Sequence, residues 1–123
     1  MRLIQVYECF CDETRLRILN LLSKTPLCVS HLQEILLLPQ VKISKHLAYM
    51  KEREMVASTR HENWMLYSLA KCDCPELDSN LKCLQDCNQE YPIFKEDLKR
   101  LEALLQQVDA IKEKIYQTKS ALE

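Results

Sequence analysis

Pro39-Gln-Val-Lys-Ile-Ser-Lys-His-Leu-Ala-Tyr-Met-Lys-Glu-Arg-Glu54 is the stretch on which the fold turns. Its apolar residues Ile43, Leu47 and Met50 recur at i, i+4 and i+7, which is one face of an α-helix. Pro39 suits the first turn of that helix, where a missing N–H costs little. Gln40, Lys42, Lys45 and Tyr49 fall on the other faces. The spacing therefore predicts a helix from about Pro39 to Glu54 with an apolar inner side and a basic outer one. From Pro39 to Glu62 there are five Lys and Arg against three Glu, with His46 and His61 in addition, although the whole chain carries a net charge of −1. Positive charge is thus local, as a nucleic-acid contact in a neutral protein requires.

Upstream, Leu38-Pro39 ends the preceding segment, and Leu32, Ile35 and Leu36 give that segment a buried side. Ser30-x-x-Gln33 has the form of a capping box and predicts that this third helix begins at Ser30. Asp12 can cap a second helix running from Glu13 to about Lys24, with Leu16, Ile18, Leu19 and Leu22 as its apolar stripe. Leu3, Val6, Tyr7 and Phe10 predict a first helix before it. Downstream the period changes. Val56 to Arg60 and Trp64 to Leu69 are rich in β-branched and aromatic residues and read as a β-hairpin. In the connector His61-Glu62-Asn63, Asn63 is the residue best able to take positive φ. Beyond Pro75 a helix is expected from about Glu76 to Gln89, and Pro92 opens a last long one. Leu101, Leu104, Val108, Ile111, Ile115 and Leu122 form a heptad seam, read here as a dimerisation helix. The fold class expected is mainly α with a small β-hairpin, a winged helix-turn-helix with a long C-terminal dimerisation helix. Residues 1–90 would bind DNA and sense, and residues 91–123 would dimerise.

The composition excludes other classes. There is no glycine among the 123 residues, so a phosphate-cradling loop is not available and a nucleotide enzyme is disfavoured. No apolar run is long enough for a bilayer, and the first residues lack an export signal, so a cytoplasmic protein with no membrane partner is expected. His31, His46 and His61 show no spacing that pairs them with a nucleophile. Seven cysteines, an odd number, point to thiol chemistry in a reducing compartment rather than to disulfides.

Four motifs in order resemble the ArsR/SmtB family of metalloregulatory repressors. Asp12-Glu-Thr-Arg-Leu-Arg-Ile-Leu-Asn-Leu-Leu22 is similar to that family's D-x-T-R-L-x-I-L-x-x-L. Leu27-Cys-Val-Ser-His-Leu32 is similar to its L-C-V-C-x-L metal box, Ile43-Ser-Lys-His-Leu47 to its V-S-x-H-L, and Trp64-Met-Leu-Tyr-Ser-Leu69 to its second wing strand. The resemblance implies a homodimeric transcriptional repressor, not an enzyme, that binds a double-stranded operator with inverted-repeat symmetry. Gln40, Lys42, Ser44, Lys45 and His46 would face the major groove, and Arg60 and His61 on the wing would touch the backbone or minor groove.

The resemblance also implies an effector: arsenite, As(III), or another soft metal ion such as Cd, Pb or Zn, with no organic cofactor. In the metal box Cys28 is present, but Ser30 and Gln33 stand where further thiols would be. The expected site therefore lies downstream. Cys83 and Cys87, at i and i+4, share a helix face, and Cys72 and Cys74 precede them across Pro75. Three thiolates would suit trivalent arsenic, and four would suit zinc or cadmium. Cys9, Cys11 and Cys28 form an alternative set. A thiol-based redox or persulfide sensor, and a structural zinc module with a coiled-coil arm, are the competing readings.

Overall fold

The computed structural model describes residues 1–71 and 73–122, with side chains described up to Gln117. In chain order the elements are α1 (Arg2–Phe10), α2 (Glu13–Leu22), β1 (Leu27–Cys28), α3 (Val29–Leu36), α4 (Gln40–Glu52), β2 (Val56–His61), β3 (Trp64–Leu69), α5 (Pro75–Cys87) and α6 (Pro92–Leu122). A short 3-10 turn, Asn88–Glu90, separates the last two helices.

The helical core forms where the periodicities place it. Asp12 caps α2 by accepting the Arg15 N–H at 3.0 Å. Ile43, Leu47 and Met50 of α4 are fully buried against Leu19, Leu32 and Ile35 in one apolar cluster. Burying each such side chain stabilises the fold by roughly 1.5–3 kcal/mol. The three antiparallel strands run in the order β1-β3-β2, with Val56 opposite Leu69 and His61 opposite Trp64.

Three local expectations are corrected. The capping box at Ser30 does not form: α3 starts one residue earlier, with Cys28 at its N-cap and no side-chain cap. The reason is β1, a two-residue strand invisible to periodicity, in which Leu27 pairs with Tyr67 and Cys28 with Leu66. That pairing holds the chain extended through Cys28 and lets the helix begin immediately after it. At the wing tip the left-handed residue is Glu62 (φ 52°) rather than Asn63. Without glycine, the chain places Leu37 and Glu54 in the same region, at φ 57° and 61°. Leu37 closes α3 with an αL cap whose N–H bonds to the Gln33 carbonyl, at a backbone cost of about 1–2 kcal/mol.

The third correction concerns the C-terminal seam. It does not wait for a second chain. Leu101, Val108 and Ile115 are 4%, 1% and 1% exposed within the single chain. Leu101 and Val108 join the main core, and Ile115 packs on Cys28 and Leu66 beside Trp64. The domain's own α2, α3 and sheet take up these three positions, while Leu104 and Ile111 of the same seam are half-buried. Lys112 adds a hydrogen bond to Thr25 Oγ1 at 3.2 Å, and Lys114 lies 5.0 Å from the Trp64 ring centre. Leu122 lies outside the residues with described side chains. No described helix is long and apolar enough to cross a membrane.

Candidate functional site

The outer face of α4 is set by its inner one. With Ile43, Leu47 and Met50 committed to the core, Gln40, Lys42 and Lys45 are turned to solvent and Ser44 is half-exposed. Among the described residues neither Lys42 nor Lys45 has an ion-pair partner, so both charges are available to phosphate or to base edges. Val41, 77% exposed, stands beside them. On the wing Arg60 is exposed, with its Nε 3.4 Å from the Glu62 carbonyl, and His61 is half-buried against Trp64. Lys51 ties the end of α4 to the wing through Ser58 Oγ at 2.6 Å.

His46 points the other way. Arg15 Nη1 donates to its Nδ1 at 3.2 Å, and its Nε2 lies 3.8 Å from the Asp12 carboxylate. Burial pushes its pKa below the usual histidine value, and Arg15, Lys42 and Lys45 add to that against the pull of Asp12. A neutral ring that accepts from Arg15 suits a strut between α2 and α4. Tyr49, one turn further along, is clasped on both faces, with the Arg53 and Arg15 guanidinium carbons 3.4 and 4.3 Å from its ring centre. Its hydroxyl donates to Glu8, which also pairs with Arg53. Arg2 then donates to the Arg53 and Glu54 carbonyls at the end of α4. The exposed face of the helix is thus polar and open, while its flank is bolted to α1 and α2 by arginines.

Three further residues act on α3 and α4 and gave no recognisable motif. Arg17 of α2 and Asp97 of α6 form a buried bidentate pair, and Arg17 Nη2 also donates to the Leu36 carbonyl at 3.0 Å. Arg100 donates to the Ile35 carbonyl at 2.6 Å. Both hold the end of α3, immediately before the turn into α4. The one sequence signal was an arginine beside Ile18 and Leu19 in an otherwise apolar stretch.

The cysteines are dispersed in a way that the sequence order conceals. Cys9 is fully buried in the main core, and Cys28 is buried between the sheet and α6. Burial raises both thiol pKa values, with Arg15 and Arg53 opposing it at Cys9. Cys74 is buried at the N-terminus of α5, where it accepts from Arg2 Nε and donates to Glu76, each at 3.3 Å. Cys83 lies nine positions further along, about 13 Å on the helix axis, so Cys74 cannot share a ligand with it while α5 is intact. Cys72 lies outside the described residues. Cys83 is exposed and Cys87 half-exposed, and Cys87 Sγ donates back to the Cys83 carbonyl at 3.0 Å. Partial burial, then the nearness of Cys83, raises the Cys87 pKa. Cys11, in the bend between α1 and α2, is exposed and donates to the Glu8 carbonyl at 3.2 Å. The structure therefore divides both candidate sets. Cys11 leaves its nominal partners and lines one groove of about 540 Å³ with Cys83 and Cys87. Among the described residues no three His, Cys, Asp or Glu side chains are already placed to hold a metal ion.

Known proteins share this design. Residues 12–58, from the α2 cap to β2, match the family described as bacterial regulatory protein, arsR family. Over 88 residues the chain is 38% identical to the arsenic resistance transcriptional regulator ArsR1 of Pseudomonas putida, a match covering 70% of this chain and 68% of that protein. The chain belongs to the ArsR family. A second member, the arsenical resistance operon repressor of Escherichia coli, is 40% identical over 68 residues, covering 54% of this chain and 58% of that one. Among solved structures, HlyU from Vibrio cholerae superposes with a TM-score of 0.63 at 25% identity, covering 69% of this chain and 89% of its own. This ArsR-family chain is accordingly a winged helix-turn-helix transcriptional regulator that binds DNA, not an enzyme. In ArsR-family terms α3 and α4 are the helix-turn-helix, and β2 and β3 are the wing.

Proposed function

We propose that this protein is a dimeric repressor that holds an inverted-repeat operator through α4 and the wing, and releases it when its thiolates bind a soft metalloid, arsenite before cadmium, lead or zinc. The observation that carries this reading is the pair Cys83 and Cys87. They sit one turn apart on a solvent-facing side of α5, and α5 packs on α1 and α2, the helices to which α4 is bolted. Thiolate sulfur selects soft ions over hard ones. The names of the Pseudomonas and Escherichia relatives point to the same class of effector.

Gln40 and Lys42 are the base-reading residues in this account, and Ser44, Lys45 and Arg60 meet phosphate or nearby bases. His46 supports the helix from behind. A second copy would pack on the outer face of α1, where Leu3, Ile4 and Tyr7 are exposed side by side, and on the solvent side of α6 near Tyr116. A two-fold dimer presents two α4 helices to adjacent half-sites. Release then needs a coupling of roughly 1–3 kcal/mol, about 5–150-fold in operator affinity.

The test is a titration of reduced protein with arsenite, following operator binding by fluorescence anisotropy. Affinity for an inverted repeat should fall within that range at saturation, and a single half-site should bind far more weakly than the repeat. Unchanged operator affinity with arsenite demonstrably bound would refute the reading. Reversible release on oxidation instead, with formation of a Cys83–Cys87 disulfide, would favour the redox alternative. A structural zinc and coiled-coil module would instead hold zinc as purified and show no sequence-selective DNA binding.

A further inference from the structure

We propose that Cys11, Cys83 and Cys87 are the three ligands of one trivalent-arsenic site in the groove between the α1–α2 bend and α5, and that Arg15 passes its occupancy to α4. This rests on the thiolate-controlled release proposed above and assigns it a place.

The groove brings together residues more than seventy positions apart. Cys11 lies on one wall and Cys83 and Cys87 on the other, with Phe10, Leu16 and Leu84 among the apolar side chains between them. The remaining described cysteines are committed elsewhere: Cys9 and Cys28 to the core, Cys74 to Arg2 and Glu76 at the far end of α5. Sulfur ligands set among apolar side chains favour a soft, uncharged solute over a hydrated divalent ion, and Asp12, Glu13 and Asn80 line the same groove. Binding also costs little locally. The Cys11 thiol donates to the Glu8 carbonyl and the Cys87 thiol to the Cys83 and Leu84 carbonyls, and S–H is a weak donor.

The reaction is ligand exchange without electron transfer. Arsenous acid, As(OH)3, loses three hydroxides and gains three As–S bonds. The three thiol protons leave with those hydroxides as three waters. Trivalent arsenic keeps its lone pair and the resulting pyramid needs three sulfurs and no fourth ligand.

The three sulfurs are not yet gathered, since no described trio is placed to coordinate an ion. Closing the site must therefore draw α5 and the α1–α2 bend together. A ligand that binds the closed arrangement better than the open one shifts the population toward it. The bend is wired to the recognition helix. Arg15 donates to the carbonyls of Glu8 and Cys9 at 2.8 and 3.2 Å, and its Nη2 lies 3.9 Å from Cys11 Sγ. The same guanidinium donates to His46 and covers Tyr49. Movement of Cys11 displaces the carbonyls that aim Arg15, and Arg15 is the arginine that ties α2 to the flank of α4.

The experiment uses the full-length reduced protein and arsenite alone. Arsenite-protected alkylation with iodoacetamide, read by mass spectrometry, should show Cys11, Cys83 and Cys87 shielded together in the wild type. Cys11→Ser, Cys83→Ser and Cys87→Ser should each weaken arsenite binding about tenfold or more, and each should remove part of the near-ultraviolet sulfur-to-arsenic absorption. Cys28→Ser and Cys74→Ser should leave both unchanged. Arg15→Lys should bind arsenite normally yet lose most of the operator release. Protection of Cys72 or Cys74 in place of Cys11 overturns the assignment while leaving arsenite-controlled release intact, as does a Cys11→Ser protein that binds like the wild type. Full release by Arg15→Lys overturns the relay. A wild type that binds no arsenite refutes the underlying reading and this site with it.

Discussion

Arg17 and Asp97 meet across 80 residues of sequence, with Nε and Nη2 each 2.8 Å from a carboxylate oxygen and the Asp97 side chain fully buried. The pair fastens α6 to α2, and through the Leu36 carbonyl it also fixes the end of α3. Removing one partner strands a buried charge. Asp97→Ala should therefore lower unfolding stability by roughly 3–5 kcal/mol, measured as the shift of the urea midpoint. Replacing both partners together, Arg17→Met with Asp97→Leu, should restore much of that loss. A loss below about 1 kcal/mol for Asp97→Ala would mean the pair is worth no more than a surface bridge.

The recognition face makes a prediction about salt. Lys42 and Lys45 are exposed and, among the described residues, without ion-pair partners. If both meet phosphate, replacing both with Ala should reduce the slope of log K against log salt by about 2. If Lys42 reads a base edge, the slope falls by only about 1, and specificity relaxes at one position. Gln40→Ala should leave the slope alone and cost about 1–3 kcal/mol of discrimination at a single base pair. Unchanged binding by the double lysine variant would remove α4 from the DNA.

His31 gives a pH dependence. It is buried, its Nδ1 has no hydrogen-bond partner among the described residues, and desolvation lowers its pKa below 6.5, with Glu34 opposing. The unfolded chain then binds a proton that the folded one refuses. Stability is complete above pH 6.5 and declines as the pH falls below that value. The urea midpoint should drop between pH 7 and pH 5.5, a range above most carboxylate titrations. His31→Leu should flatten that drop in part, since His46 shifts in the same direction. An equally steep profile in His31→Leu would show that His31 is not responsible.

Ile115 tests where the C-terminal seam spends its apolar surface. It is 1% exposed in the single chain, against Cys28 and Leu66. Ile115→Ala should cost roughly 2–5 kcal/mol of stability while leaving the dimer dissociation constant nearly unchanged in sedimentation. By contrast, Ile4→Ser and Tyr7→Ser on the exposed side of α1 should weaken association with little loss of monomer stability. The reverse pattern would return the seam to the dimer interface.

Much of the fold was legible because it is written locally. The i, i+4, i+7 spacing of Ile43, Leu47 and Met50 fixed α4, and the same pattern fixed which of its faces could meet DNA. Asp12 announced the start of α2 and is its cap. Local signals misled where a distant strand intervened. Ser30 has the chemistry of an N-cap, but Leu66 and Tyr67 pair with Cys28 and Leu27 and move the helix start. At the wing tip, Asn63 is the better left-handed residue in isolation, yet the pairing of His61 with Trp64 puts Glu62 there.

What the chain determined by itself is the list of helices, the basic outer face of α4 and the supply of cysteine thiols, because hydrogen bonding and burial within a helix depend on near neighbours. What only the tertiary structure decided is which distant residues meet. It placed the 101-108-115 seam on its own domain, buried Arg17 with Asp97, and separated Cys9 from Cys11 while bringing Cys11 across from Cys83 and Cys87. Adjacent residues on a helix point about 100° apart, so neighbours in sequence can face core and solvent respectively. Contacts across seventy residues depend instead on how the whole chain closes, and no local spacing encodes that.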